Sequence, residues 1–299
     1  MRGLSGIGKT SVTNAVAHAI LRLSDDSLRT AGVSEVAAQV ISMGNSQYYE
    51  GYVGQACLVL DDFGAPRPDK QDKENDYVSL IRLMNIWSCP LNMATLESKG
   101  KIYFTSKLIV GTTNLANVSF AEDVLTNPEA LARRITHGCE LVLKDQYKDA
   151  NGRLDPELSA AEEEACRGGE GLGAFPFYMW EVYKYDYVSG QRVGEPISLE
   201  DHIRSCADRI RSNAARYEAS LRALQALADG FRREQEKPSD VVPEGASESS
   251  SPAPTLAGDT DCVSTDYGEV ETQAGIYGPA VVHEPAEDLT VSLIGRWGK

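Results

Sequence analysis

Gly3-Leu-Ser-Gly6-Ile-Gly8-Lys9-Thr10 fits the pattern G-x-x-x-x-G-K-[ST] and decides the reading of everything around it. Glycines let the backbone curl until successive N–H groups point inward at an anion, which fits Gly3, Gly6 and Gly8 for a phosphate cradle. Lys9 is placed to reach the β- and γ-phosphates of a nucleotide, and the Thr10 hydroxyl to ligate Mg²⁺. The helix beginning near Lys9 aims its positive end at the same anion. Val12, Ala15, Val16, Ala19 and Ile20 continue an apolar helical face. A strand is expected before such a loop, and only Met1-Arg2 precede Gly3. The expectation is a chain cut just before its first motif.

Some fifty residues on, the apolar run Ala56–Leu60 ends in Asp61-Asp62. A buried strand that ends in two carboxylates delivers them to the carboxyl edge of a sheet, beside the phosphate loop. Asp61 is the candidate Mg²⁺ ligand, and Asp62 the residue that orients or deprotonates the attacking water. A second buried run, Lys107–Gly111, ends in Thr112, Thr113 and Asn114, whose amide suits the γ-phosphate or the lytic water. Arg133 and Arg134 follow Asn127-Pro-Glu-Ala-Leu-Ala. An arginine there can neutralise charge on the transferred phosphoryl group, often from a neighbouring subunit, although two arginines on a helix also suit a solvated face.

The 299 residues carry 29 Lys and Arg against 44 Asp and Glu, a net charge of −15. Bulk positive charge is therefore not what would hold nucleic acid. Residues 1–150 have 15 basic and 17 acidic side chains, and residues 238–299 have 2 and 11, so the excess is in the second half. No apolar run reaches the length of a membrane span, and no secretory signal follows Met1. The 6 cysteines and 4 histidines lack the close spacing of zinc ligands.

Three regions follow. Residues 1–145 alternate strand-length apolar runs, among them Cys139–Leu143, with helical stretches, the rhythm of an α/β domain. Residues 146–237 end in an amphipathic helix over about 199–236, opened by a capping-box-like Ser198-Leu-Glu-Asp201. That helix either docks on its own domain or self-associates. Residues 238–299 are acidic and rich in Ser, Pro and Gly, and are expected to be mostly disordered. Within them, Gln273-Ala-Gly-Ile-Tyr277 reads best as a linker with an incidental tyrosine.

The order of motifs resembles the superfamily 3 helicase ATPase of picornavirus-like positive-strand RNA viruses. Gly3–Thr10, Leu58–Asp62 and Leu108–Asn114 resemble its three nucleotide motifs. Tyr49–Gln55, Pro90–Ser106 and Ala130–Arg134 resemble the segments around them. The resemblance implies an AAA+-like P-loop NTPase fold with a central parallel sheet, followed by the long helix and the acidic tail. It implies an ATP-hydrolysing, Mg²⁺-dependent RNA helicase that works as a homo-hexameric ring on single-stranded RNA, beside other viral replication proteins. It places Lys99 and Lys101 on a pore hairpin that touches RNA. Likeness to a viral polyprotein would also make Gln273-Ala274 a protease junction, instead of part of a linker, and Tyr277 a genome-linked tyrosine. The implied location is the host cytoplasm, with any replication-membrane attachment through regions outside this chain. An AAA+-type ATPase that remodels proteins and an ATP-dependent assembly scaffold are the competing functions.

Overall fold

The computed structural model describes residues 6–43, 48–64, 76–85, 87–115, 117–122, 125–235 and 290–295. Gly3, Gln273, Ala274 and Tyr277 lie outside the described residues. Helix α1 (Lys9–Ser24) forms because Val12, Val16, Ala17, Ile20 and Leu21 recur on one face and are all buried. Each such burial contributes about 1.5–3 kcal/mol. The helix stops at Asp25, which turns extended and accepts the Ser27 N–H at 2.9 Å to cap α2 (Asp26–Arg29). The short α3 (Val33–Ala37) leads into β1 (Val40–Met43).

Strands β2 (Cys57–Leu60) and β3 (Leu108–Thr113) are the two apolar runs, separated by α4 (Asp76–Leu83). They pair in parallel, Cys57 opposite Leu108, and β1 pairs in parallel outside β2. Leu108 and Val110 belong to one hydrophobic core and Ile109 to another, so β3 is covered on both faces. α5 (Glu129–Ala132) then precedes β4 (Cys139–Leu143).

Beyond β4 the sheet is not parallel. α6 (Pro156–Ala165) is followed by β5 (Trp180–Asp186), which pairs antiparallel with β4, and by β6 (Gln191–Ser198), which pairs antiparallel with β5. The tight Asp186–Gly190 turn is the reason for the β5–β6 pairing. The Asp186 carboxylate accepts the Val188 and Ser189 N–H groups, and Gly190 has φ +69°. A turn this short can only join antiparallel strands. The expected central parallel sheet is thus the parallel part of a mixed one.

The expected long helix is α7 (Leu199–Gln235). The Ser198 hydroxyl accepts the Asp201 N–H at 3.0 Å and donates to the Asp201 carboxylate at 2.7 Å, a variant of the capping box in which the two side chains meet. Leu199, Ile203, Cys206 and Ile210 are buried, whereas Leu224, Leu227 and Phe231 are exposed. Residues 1–221 and 283–299 form one compact unit and 222–282 another.

The acidic tail holds a further strand, β7 (Thr290–Gly295), where disorder was expected. It pairs in parallel with all of β3, Leu108 opposite Thr290 through Thr113 opposite Gly295, and meets β4 at Cys139 opposite Ile294. Among the described residues the sheet order is β1-β2-β3-β7-β4-β5-β6. Composition misled here, because six residues of strand pattern are outweighed by the polar sequence before them. Residues 290–295 thus fill the place between β3 and β4.

Candidate nucleotide site

The loop keeps the shape that its glycines suggest. Gly6 and Gly8 have φ +88° and +78°, a left-handed conformation that a side chain would strain. Gly8 is the N-cap of α1, and no side chain caps the helix there. The first turn of an α-helix directs its N–H groups outward along the axis, the geometry that suits an anion.

Three contacts place the rest of the site on this loop. The Lys9 ammonium donates to Asn114 Oδ1 at 2.9 Å, across the end of β3. The Asn114 amide in turn donates to Asp62 Oδ1 at 3.4 Å. The Thr112 hydroxyl donates to Asp61 Oδ1 at 2.5 Å and accepts the Asp62 N–H at 2.8 Å. Thr113 ties the same turn from the other side, donating to the Phe63 carbonyl at 2.7 Å. Asp62 itself has φ +48°, the one left-handed non-glycine backbone among the described residues. Burial draws the Lys9 ammonium below its usual pKa, while Asp62 and then Asp61 pull it back up. Lys9 is thus a half-desolvated cation that rests on an amide and faces two carboxylates.

Thr10 lies one residue further on, exposed in the first turn of α1. Asp61 and Thr10 are hard oxygen donors, the type magnesium prefers, and a magnesium ion that also binds substrate phosphates needs few protein ligands. The donor set therefore fits Mg²⁺. Among the described residues no group of three or more His, Cys, Asp or Glu side chains is arranged to hold a metal ion by itself. The fold does bring together residues that are distant in sequence: buried His202 has Cys139 Sγ at 3.5 Å and Cys206 Sγ at 3.7 Å from Nε2. Burial, reinforced by His137, pushes the His202 pKa down to about 3 and keeps the ring neutral.

Among the described contacts, neither Arg133 nor Arg134 meets Lys9, Asp61, Asp62 or Asn114. Arg133 is exposed and lines a groove of about 670 Å³ with Tyr185, Tyr187 and His137. Arg134 turns back on its own helix, and Nη1 donates to the Ala130 carbonyl at 2.8 Å. Lys99 and Lys101 flank Gly100, φ +74°, on an exposed turn. Leu91 N–H to the Ile102 carbonyl and Phe104 N–H to the Cys89 carbonyl, both 2.9 Å, make the stem beneath it a hairpin. Leu96, 87% exposed, shares this tip.

Residues that the motifs do not contain brace the loop from behind. The Trp180 indole N–H donates to the Ile7 carbonyl at 3.1 Å, and the ring is buried against Phe175. The Leu154 N–H donates to the Gly6 carbonyl at 3.0 Å. A β-carbon on Gly8 would meet Leu154 Cδ2 at 2.8 Å, and one on Gly6 would meet the Arg153 stem at 3.0 Å. Gly8 is required by close approach as well as by φ, and Gly6 chiefly by φ. A lone tryptophan at the start of a strand gives no sequence signal for this role.

Residues 1–115 match the RNA helicase family model. The chain is 35% identical over 149 residues to the replicase polyprotein of Acute bee paralysis virus (strain Rothamsted), covering 48% of this chain and 8% of the polyprotein. It is 30% identical over 156 residues to the genome polyprotein of Human rhinovirus C (strain C15), covering 52% and 6%. With the replicase polyprotein of Cricket paralysis virus the identity is 26% over 262 residues, covering 84% and 13%. Residues 1–115 thus resemble an RNA helicase region of the picornavirus-like superfamily 3 type. This helicase region spans only a small part of each polyprotein it matches, and no helix among the described residues is long and apolar enough to cross a membrane.

Proposed function

We propose that the helicase region hydrolyses ATP with Mg²⁺ and uses the energy to move or remodel single-stranded RNA as a ring oligomer in viral replication. The observation that carries this reading is the Lys9–Asn114–Asp62 chain of contacts at one end of a parallel sheet, with Asp61 fixed beside it by Thr112. In the proposed mechanism Lys9 leaves Asn114 for the β- and γ-phosphates. The exchange favours phosphate, since a charged acceptor binds an ammonium more strongly than a neutral amide. Thr10 and Asp61 would hold the magnesium ion, which neutralises phosphate charge when bound. Asp62 accepts the proton of the attacking water, and Asn114, released by Lys9, orients that water or the γ-phosphate.

Arg133, exposed and with no described contact to its own chain's loop, is proposed to act on the phosphates of a neighbouring subunit, with Arg134 fixing the end of α5. Six copies of the Lys99–Lys101 tip around a pore would make a cationic collar despite the negative total charge. Residues 1–145 would then be the ATPase domain, 146–237 its extension and 238–299 a tail.

The test is ATP turnover with and without single-stranded RNA. Wild-type chain should hydrolyse ATP faster with RNA, and Lys9→Ala should lose turnover by at least about a hundredfold, the usual cost of removing a main charge-stabilising donor. Turnover that ignores RNA but rises with a protein partner would favour protein remodelling. Nucleotide binding with no turnover would favour a scaffold.

A further inference from the structure

Residues 147–155 form a tight turn that no nucleotide motif includes. The Asp149 carboxylate Oδ1 accepts the N–H groups of Asn151 and Arg153, both at 2.8 Å. The Asp149 N–H donates to the Arg153 carbonyl at 2.7 Å, and the Asp155 N–H to the Tyr147 carbonyl at 3.0 Å. Gly152 supplies the left-handed residue, φ +74°. A bridge between Lys148 and Leu154 closes the turn, and Leu154 fastens it to the Gly6 carbonyl. The backbone of Arg153 is therefore fixed relative to the phosphate loop.

Its side chain then runs over the loop. Measured from where a β-carbon on Gly6 would lie, Arg153 Cδ and Cγ are each 3.0 Å away and Cβ 3.3 Å. The guanidinium begins one bond beyond Cδ, on an exposed residue. Arg153 forms no close ion pair with a described residue; its charge acts on Asp149, whose carboxyl is held below its usual range first by the Arg153 backbone N–H and only lastly by the guanidinium. Charge at the site calls for such a group. Lys9 is one cation against the carboxylates of Asp61 and Asp62, so the edge is short of positive charge for a nucleotide even with a divalent ion bound. Arg133 does not meet that need within the chain. A guanidinium on a fixed stem suits a phosphate oxygen pair, and its charge persists at any working pH.

We propose that Arg153 contacts the phosphate chain of the nucleotide held by its own subunit's loop. The proposal rests on the nucleotide-site reading above and adds a residue to it. The experiment uses the full chain and calorimetric titration with Mg-ADP and with a slowly hydrolysed Mg-ATP analogue. The decisive variant is Arg153→Met, which keeps the apolar stem against Gly6 and removes the charge. It should weaken one or both nucleotides about tenfold, the scale of one charge-assisted hydrogen bond, and leave the unliganded melting temperature unchanged. Arg153→Lys should recover part of the loss. Arg153→Met that binds both nucleotides like wild type, while Lys9→Ala binds neither, would overturn the role of Arg153 and leave the site reading intact. Wild-type chain that binds neither nucleotide would take down both. A lowered melting temperature with wild-type affinity would assign Arg153 to loop packing and likewise overturn the proposal.

Discussion

At the phosphate-loop edge, Lys9, Asp62 and Asn114 hold one another, and Trp180 and Leu154 hold the loop from behind. At the end of α5, Arg133 faces solvent, and its neighbour Arg134 donates from Nη1 to its own helix while its buried Nε has no hydrogen-bond partner among the described residues. The hairpin tip with Lys99 and Lys101 is equally one-sided. Groups proposed to bind the nucleotide are thus preorganised within one chain, which would save reorganisation when substrate arrives. Groups proposed to act on another subunit or on RNA are presented outward on rigid stems. The difference teaches that binding and turnover should be separable by mutation.

The largest effect that would break this comparison is at Arg133. Arg133→Ala should lower turnover about a thousandfold while ADP binding stays near wild type, as for fingers that contact only the transition state. Mixing Arg133→Ala with Lys9→Ala chains should restore some phosphate release, since mixed interfaces pair an intact loop with an intact arginine. An absence of rescue would make Arg133 a residue of its own chain's site and erase the contrast.

A smaller effect sharpens the other side. Trp180→Phe keeps most of the buried ring and removes the bond to Ile7, leaving a buried carbonyl without that donor. It should cost about 1–3 kcal/mol in denaturant unfolding and weaken nucleotide binding in step. Full stability in this variant would mean that the loop does not depend on its brace. The smallest effect is at the hairpin. Lys99→Ala with Lys101→Ala should leave basal hydrolysis alone and reduce the slope of RNA affinity against salt by about 1.4, from about 0.7 per lost phosphate contact on a single strand. An unaltered slope would remove the hairpin from the RNA path.

How much of this was legible in the sequence follows from how local each signal is. Gly6, Gly8 and Lys9 are readable because one short segment fixes both the φ values and the charge. Asp61 and Asn114 are readable because each ends an apolar run, and strand ends share an edge in a parallel sheet. Thr112 shows the limit: its place was clear, but its double bond to the Asp61–Asp62 turn depends on register between strands. Arg153, Leu154 and Trp180 were not legible, since their roles arise from a turn and a strand that pack onto the loop from far along the chain. The same holds for His202, whose sulfur neighbours come from β4 and from one turn of α7. The antiparallel half of the sheet was missed because β6 is mostly exposed and lacks an apolar run.

Strand β7 sets an order of assembly. Its partners β3 and β4 are synthesised long before it, and chains fold from the front as they emerge. Until residues 290–295 arrive, the backbone edges of two deeply covered strands have no mate at the centre of the sheet, a seam that invites pairing with any stray extended peptide. Joining segments so remote in the chain is slow because loop closure precedes the gain from contact. A version of this chain that lacks residues 290–295 should therefore be more prone to capture extended peptides along β3 and β4 than one that keeps them.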